Sequence, residues 1–182
     1  MNTTSHQLTP NVKLLHKAVI IYEKKVLILR RSTKSPSRPN CWDLPGGNSE
    51  WPQDKPSGFD YHTHDISREL QEEIDLTVDP THFTRNTLTY FHSYFDTDKD
   101  IYTIICGWQL ILCDLPNIRI SHEHTKYQWV EPSSLEELDF GGKAGNFIKD
   151  IIGKFFLNLF ASHDSPPWLM WEASALSAWC RM

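Results

Sequence analysis

The stretch from Pro45 to Leu76 opens with Pro45-Gly46-Gly47 and closes with Arg68-Glu69-Leu70-Gln71-Glu72-Glu73-Ile74-Asp75-Leu76. Its second half reads as a helix from about Thr63 to Ile74, with Thr63 as N-cap and Asp65 in the first turn, where a negative charge suits the helix dipole. Ile66 and Leu70 lie four apart and mark a core seam. Glu69, Glu72 and Glu73 stand at i, i+3 and i+4, which places them on one arc of about 100° beside that seam. Such crowding of like charges costs a bare helix a few tenths of a kcal/mol per pair, about 0.2–0.5. A bound cation removes that cost. Mg²⁺ and Mn²⁺ prefer oxygen donors, and Mg²⁺ combines a few carboxylates with water and substrate phosphate. The glycine turn lets backbone approach a ligand closely, and its carbonyls, Gly47's among them, are candidate extra ligands. The pattern therefore points to metal-dependent cleavage of a phosphoanhydride.

Outward from this stretch the chain alternates strands and helices. Ala18-Val19-Ile20-Ile21 and Val26-Leu27-Ile28-Leu29 are apolar, largely β-branched runs joined by a Glu23-Lys24-Lys25 turn. Pro36 and Pro39 break the chain between Ser32 and Asn40, and Asn48 to His62 is a second loop. Leu88–Tyr94 and Tyr102–Cys113 read as an antiparallel pair around Asp96–Asp100, and Tyr127–Val130 as a further strand. Pro132 to Leu138 starts a short helix capped by Ser133 or Ser134. Ala144–Phe160 is the longest helical pattern, its Phe147, Ile151, Phe155 and Leu159 forming a stripe that packs on the sheet. The expected organisation is a loose arm over residues 1–14, a domain over 15–160 and a Trp-rich tail over 161–182, which acts as a packing lid or a homodimer contact. The expected class is α/β (α+β), with a mixed sheet between helices.

Composition narrows the function classes. The net charge of −5, from 18 Lys+Arg against 23 Asp+Glu, supplies no global basic field, so a long nucleic acid is not the expected partner. No stretch reads as a membrane span, and Met1–Pro10 lacks an apolar signal core. The four cysteines, Cys41, Cys106, Cys113 and Cys180, are scattered without a CxxC pair and read as reduced thiols of a cytoplasmic protein.

Gly47 to Leu76 resembles the Nudix box of the MutT-like hydrolases: Gly, a five-residue gap, Glu, a seven-residue gap, then Arg-Glu-apolar-x-Glu-Glu-x-Gly-apolar. Trp42-Asp43-Leu44-Pro45-Gly46-Gly47 is a typical entry to it, and Tyr127-Gln128-Trp129-Val130 resembles a late strand of the family. The resemblance implies an α/β/α sandwich and hydrolysis of a pyrophosphate bond in a nucleoside diphosphate linked to another moiety. It makes Glu69 and Glu73 metal ligands, and Glu72 a ligand or water-orienting base. Arg68 would orient a glutamate by a charge-assisted hydrogen bond, or pair with Glu72 one turn on. The Gly47–Arg68 spacing is seven residues longer than the pattern, the first box glutamate is Gln53, and the closing glycine is Asp75. Asp60, counted back from Arg68, and Glu50 are the candidates to replace that glutamate. Asp at the closing position is compatible with left-handed backbone.

Other candidates lie around this core. Arg30 and Arg31 end a strand beside the expected cleft and are candidates for phosphate contact, although strand alternation lets at most one reach it. Glu123 is a candidate distal metal ligand. His122 with His124, and His62 with His64, carry the spacing of a zinc pair. Tyr90, Phe91, Tyr94 and Trp108 form either core or a base-stacking platform. A non-catalytic nucleotide-binding module is the competing reading, and a diphosphate isomerase using Cys41 is a third.

Overall fold

A computed structural model describes residues 11–50 and 61–161, with side chains up to residue 156. Residues 1–10, residues 51–60 with Gln53 and Asp60 among them, and residues 162–182 lie outside the described residues. Strands β1 (Val12–Tyr22) and β2 (Lys25–Arg31) form a hairpin whose two-residue turn, Glu23-Lys24, holds φ of 47° and 65°. Positive φ at both positions matches the right-handed twist of the flanking strands. Lys25, expected in the turn, opens β2, and Val12–Leu14, expected in the arm, belong to β1.

This hairpin splays almost at once. β1 and β2 pair only at Ile21–Val26 and Tyr22–Lys25. Beyond that, β1 runs parallel to β5 (Ile101–Ile111), from Val12 opposite Tyr102 to Ile21 opposite Ile111. β5 pairs antiparallel with β4 (Leu88–Asp96), as expected from the sequence. β2 takes β3 (Trp42–Asp43) and β6 (His124–Val130), both antiparallel. The sheet is thus mixed, six-stranded and ordered β3-β2-β1-β5-β4, with β6 beside β2.

Both faces are covered, so apolar residues run continuously along the central strands rather than alternating with polar ones. Ala18, Ile20, Leu27 and Leu29 face helix α1 (Thr63–Ile74), which contributes Ile66, Leu70 and Ile74. Val19, Ile21, Val26 and Ile28 face helix α2 (Asn146–Ala161), which contributes Ile148, Ile151, Ile152, Phe155 and Phe156. Residues two apart share a layer, as strand geometry requires. The result is the α/β/α sandwich. The expected start of α2 at Ala144 is a 3-10 turn, Gly142–Ala144. Pro132–Glu137 is also 3-10, entered from Glu131 without a side-chain cap.

Among the described residues no helix is long and apolar enough to cross a membrane. Cys41 and Cys106 are free, but Cys113 is disulfide-bonded, which corrects the reading of every cysteine as reduced. Spacing in the sequence carries no information about which sulfurs meet.

Candidate active site

The splayed hairpin leaves an edge of β1 open, and the glycine turn fills it. Ala18 N–H donates to Pro45 O at 2.9 Å, His16 N–H to Gly47 O at 2.8 Å, and Ser49 N–H to Leu14 O at 2.9 Å. Gly46 has φ +122°, and a Cβ there would strike the His16 carbonyl, so both conformation and space demand glycine. The turn faces α1. A Cβ on Gly47 would collide with the Glu69 carboxylate, and Gly46 N–H donates to Glu73 Oε2 at 2.7 Å.

α1 holds these groups in place at both ends. His62, not Thr63, is the residue before the first turn; it has φ 56° and gives no side-chain cap. Asp75 at the C-terminus is left-handed with φ 56°, taking the conformation that the box assigns to glycine. Its N–H donates to Gln71 O at 3.1 Å, and Leu76 N–H to Leu70 O at 3.3 Å. This double closure satisfies carbonyls that a helix end leaves open. Arg119 N–H to Ile74 O at 3.1 Å and Ser121 N–H to Glu73 O at 2.9 Å then draw the chain before β6 against the helix end.

The three glutamates are not equivalent. Glu73 is 7% exposed, and no Lys or Arg among the described residues pairs with it. Burial pushes its carboxyl up to about 8, against the pull of Lys17 and the Gly46 N–H. Glu69 lies against Gly47; burial raises its carboxyl too, partly offset by Arg68 Nη2 at 3.0 Å. Glu72 is 58% exposed and is held by Arg68 Nη1 at 2.9 Å. Both expected roles of Arg68 are therefore present in one side chain, whose fork joins Glu69 and Glu72. Glu50 is exposed, 3.9 Å from the same guanidinium.

Asp43 is buried on the other side of the turn. Oδ1 is 3.1 Å from Lys17 Nζ, and Oδ2 is 2.9 Å from Arg31 Nη1 and 2.6 Å from Arg38 Nη2. Burial alone would raise this carboxyl, but Lys17, Arg38 and Arg31 outweigh it and hold it below the usual range. Arg31 is thereby committed to Asp43, to Ser35 Oγ and to Ser37 O, and Arg30 Nε donates to Asn40 O at 3.0 Å. The structure brings neither arginine to the glutamate helix.

Sequence reasoning missed Lys17 and Asp43. A usable signal was present: each interrupts an apolar strand run, and a charge in a strand covered on both faces must find a partner. The spacing of a zinc pair does not bring His122 and His124 together: His122 is exposed in a turn while His124 opens β6 and is buried. His124 Nε2 is 3.8 Å from Glu73 Oε1, and Nδ1 has no hydrogen-bond partner among the described residues. Burial and Lys17 push this imidazole down to about 4, so it is neutral at pH 7.

Other candidates fall away from the centre. Glu123 is exposed, and its backbone O accepts from Ser32 N–H at 2.8 Å. Trp108 is core: fully buried, edge-on to Phe83, with Nε1–H donating to His16 Nδ1 at 2.8 Å. Phe91 and Tyr94 are exposed on β4. Cys41 Sγ lies 3.8 Å from Asp139 Oδ2; burial raises the thiol, and Asp139 adds to it, a poor setting for isomerase chemistry.

Among the described residues no three His, Cys, Asp or Glu side chains converge on one point. The donors on offer to a hard cation are the Glu69 and Glu73 carboxylates beside the turn. Two desolvated oxygen donors, Glu69 held by Arg68 and Glu73 paired with no Lys or Arg among the described residues, fit Mg²⁺ or Mn²⁺, which complete their shells with water and phosphate.

Comparison with known proteins agrees with this geometry. The family model for the NUDIX domain matches residues 15–151, most of the chain. Solved structures with the same fold include a MutT protein from Methanosarcina mazei Go1, at 23% identity and TM-score 0.59, covering 84% of this chain and 98% of that one. A MutT NUDIX hydrolase from Burkholderia pseudomallei matches at 17% identity and TM-score 0.55, covering 78% and 98%. The dihydroneopterin triphosphate pyrophosphohydrolase of E. coli matches at 18% identity and TM-score 0.56, covering 81% and 95%. Comparison with curated protein sequences gives no match. The glycine turn set against a glutamate helix in an α/β/α sandwich, with the family match over most of the chain, places this protein in the Nudix family of hydrolases, which cleave pyrophosphate bonds in nucleoside diphosphate derivatives.

Proposed function

We propose that this chain hydrolyses a phosphoanhydride bond in a small nucleoside diphosphate derivative, using Mg²⁺ or Mn²⁺ held by Glu69 and Glu73. The observation that carries this reading is the setting of Glu73: a buried carboxyl that accepts one backbone N–H, with a buried imidazole nearby and no Lys or Arg in ion-pair contact among the described residues. A divalent ion held there would supply positive charge, offset charge on the departing phosphate and acidify water. Arg68 holds Glu69 and Glu72 in fixed relation across one helical turn. Glu72, at the open side of the helix, is the group placed to take a proton from the attacking water, with Glu69 as the alternative. Water oxygen forms a bond to one phosphorus as the bridging oxygen leaves with the other phosphate. Gly46 and Gly47 bring backbone close enough to border the phosphates.

A phosphate-release assay with Mg²⁺ or Mn²⁺ tests the proposal. The panel holds nucleoside triphosphates with oxidised forms, ADP-ribose, NADH, dinucleoside polyphosphates, nucleotide sugars and dihydroneopterin triphosphate. Metal-dependent turnover of at least one compound, abolished in Glu73→Gln, is the expected result. Binding without turnover across the panel would instead identify a nucleotide-binding module.

A further inference from the structure

We propose that Lys17 is a positioning residue for this reaction: its ammonium fixes the backbone of the Leu44–Gly46 turn so that Gly46 N–H is presented to Glu73. The inference rests on the hydrolase reading given above.

Lys17 sits in β1, at the head of the Ala18–Ile21 run, and is 3% exposed. Burying an ammonium is costly unless its donors are used. All three donors of Lys17 find acceptors: Gly46 O at 2.7 Å, Leu44 O at 2.9 Å and Asp43 Oδ1 at 3.1 Å. Two of the three go to the turn's carbonyls and not to the carboxylate. Asp43 keeps two cations when Lys17 is removed, since Arg31 and Arg38 both reach Oδ2. What Lys17 alone supplies is the hold on the two carbonyls that flank Pro45.

That hold matters because of what the turn is made of. Pro45 has no N–H with which to anchor itself. Gly46, at φ +122°, is the residue with the widest backbone freedom. Its N–H is fixed by Glu73 and its C=O by Lys17, one on each side of its Cα. With both peptide groups pinned, φ and ψ of Gly46 are set, and the Glu73 carboxylate keeps one oxygen on the turn. Ala18 N–H holds the Pro45 carbonyl, in the same peptide as Gly46 N–H; without Lys17 it is the next peptide, the Gly46 carbonyl, that loses its charged donor, so ψ of Gly46 is freed and the seat of its N–H on Glu73 loosens through that rotation.

Lys17→Met tests this, because it keeps the stem and removes the donors while Asp43 retains both arginines. Three quantities are read: Mn²⁺ affinity without nucleotide, by electron paramagnetic resonance of free Mn²⁺; kcat and KM on the best compound of the panel; and exchange of the Gly46 amide by NMR. The expected result is Mn²⁺ affinity and kcat each reduced about 10- to 100-fold, as for loss of a residue supporting a metal ligand. KM stays within about twofold, the loss being one of alignment rather than uniform binding, and Gly46 exchange is faster. Lys17→Gln, whose amide can donate to a carbonyl, should recover part of the Gly46 protection and Mn²⁺ affinity, and decides the matter if Lys17→Met does not fold. Ile152→Val, in the α2 layer, serves as a control that lowers stability without moving Mn²⁺ affinity. Wild-type affinity, kcat and Gly46 protection in Lys17→Met, or in Lys17→Gln when only that variant folds, would overturn the proposal. Failure of the wild-type chain to bind Mn²⁺ would instead sink the hydrolase reading, while Gly46 exchange still tests the hold of Lys17.

Discussion

Asp43 and Glu73 are both buried carboxylates, on opposite sides of the same Leu44–Gly47 turn, and their surroundings are inverted. Asp43 has three cations within 3.1 Å, and its carboxyl is held low. Glu73 has a backbone N–H and a neutral imidazole, and its carboxyl is pushed up to about 8. One side is a finished structural anion: it ties β1, β2, β3 and the loop carrying Arg38 into a rigid wall. The other is a carboxyl left short of positive charge, and so protonated at neutral pH without metal, where the fold brings Glu69 alongside. A protein stabilises its scaffold by satisfying charges, and prepares a cation site by leaving one unsatisfied.

Substitutions on the two sides should therefore part company. Glu73→Gln is expected to cut kcat by about 10³-fold or more, the scale of losing a group central to charge stabilisation. Metal-free stability should be unchanged or higher, because a desolvated acid is gone; steady-state kinetics and thermal melts in EDTA read the two effects. A large fall in melting temperature would place Glu73 with Asp43 as a structural anion. Asp43→Asn should do the reverse damage. It leaves Lys17, Arg31 and Arg38 buried against a neutral amide, and urea denaturation should show a loss of about 3–5 kcal/mol. A loss below about 1 kcal/mol would mean the cations relax to solvent.

Acidity separates the two sides further. The Glu73 carboxyl titrates at about 8 in the folded protein, against about 4.3 unfolded. Between those values the folded chain binds the extra proton, so metal-free stability falls as pH rises, and levels off above about 8. Asp43 has the opposite sign: its contribution is present above the unfolded value of about 3.9 and is lost as pH falls through the depressed folded value. His124, at about 4 folded against about 6.5 unfolded, also costs stability as pH falls below about 6.5. In EDTA, the melting temperature of Glu73→Gln relative to wild type should accordingly climb from pH 5 to about pH 8 and then hold. A pH-independent difference would contradict the desolvated state of Glu73. The smallest expected effect belongs to the exposed Glu72. Its pair with Arg68 should contribute no more than about 0.5 kcal/mol, so Glu72→Gln should leave the urea midpoint nearly unchanged.

What the sequence shows and hides follows the range of the interactions involved. α1 was legible end to end, Thr63 to Ile74, because its periodicity and box are local. Asp75 was legible too, since a left-handed C-terminus is a property of one residue and its neighbours. The cap at His62 was not, because Thr63 offers the better side chain and tertiary context chose otherwise. The sequence offers Arg30 and Arg31 alike for phosphate contact and gives no sign that Arg31 meets Asp43. Their meeting depends on β2 pairing with β3 across a long loop. Lys17 was hidden for the same reason. Its acceptors come from a turn that reaches β1 only because the hairpin splays after two residue pairs.

The most direct test of the central contrast is to follow the Glu73 side-chain carboxyl by ¹³C NMR as a function of pH, with and without Mg²⁺. The account predicts a midpoint near 8 in the metal-free protein, and an ionised carboxylate at pH 6 once Mg²⁺ is added. A metal-free midpoint near the ordinary value of about 4.3, unmoved by Mg²⁺, would contradict it.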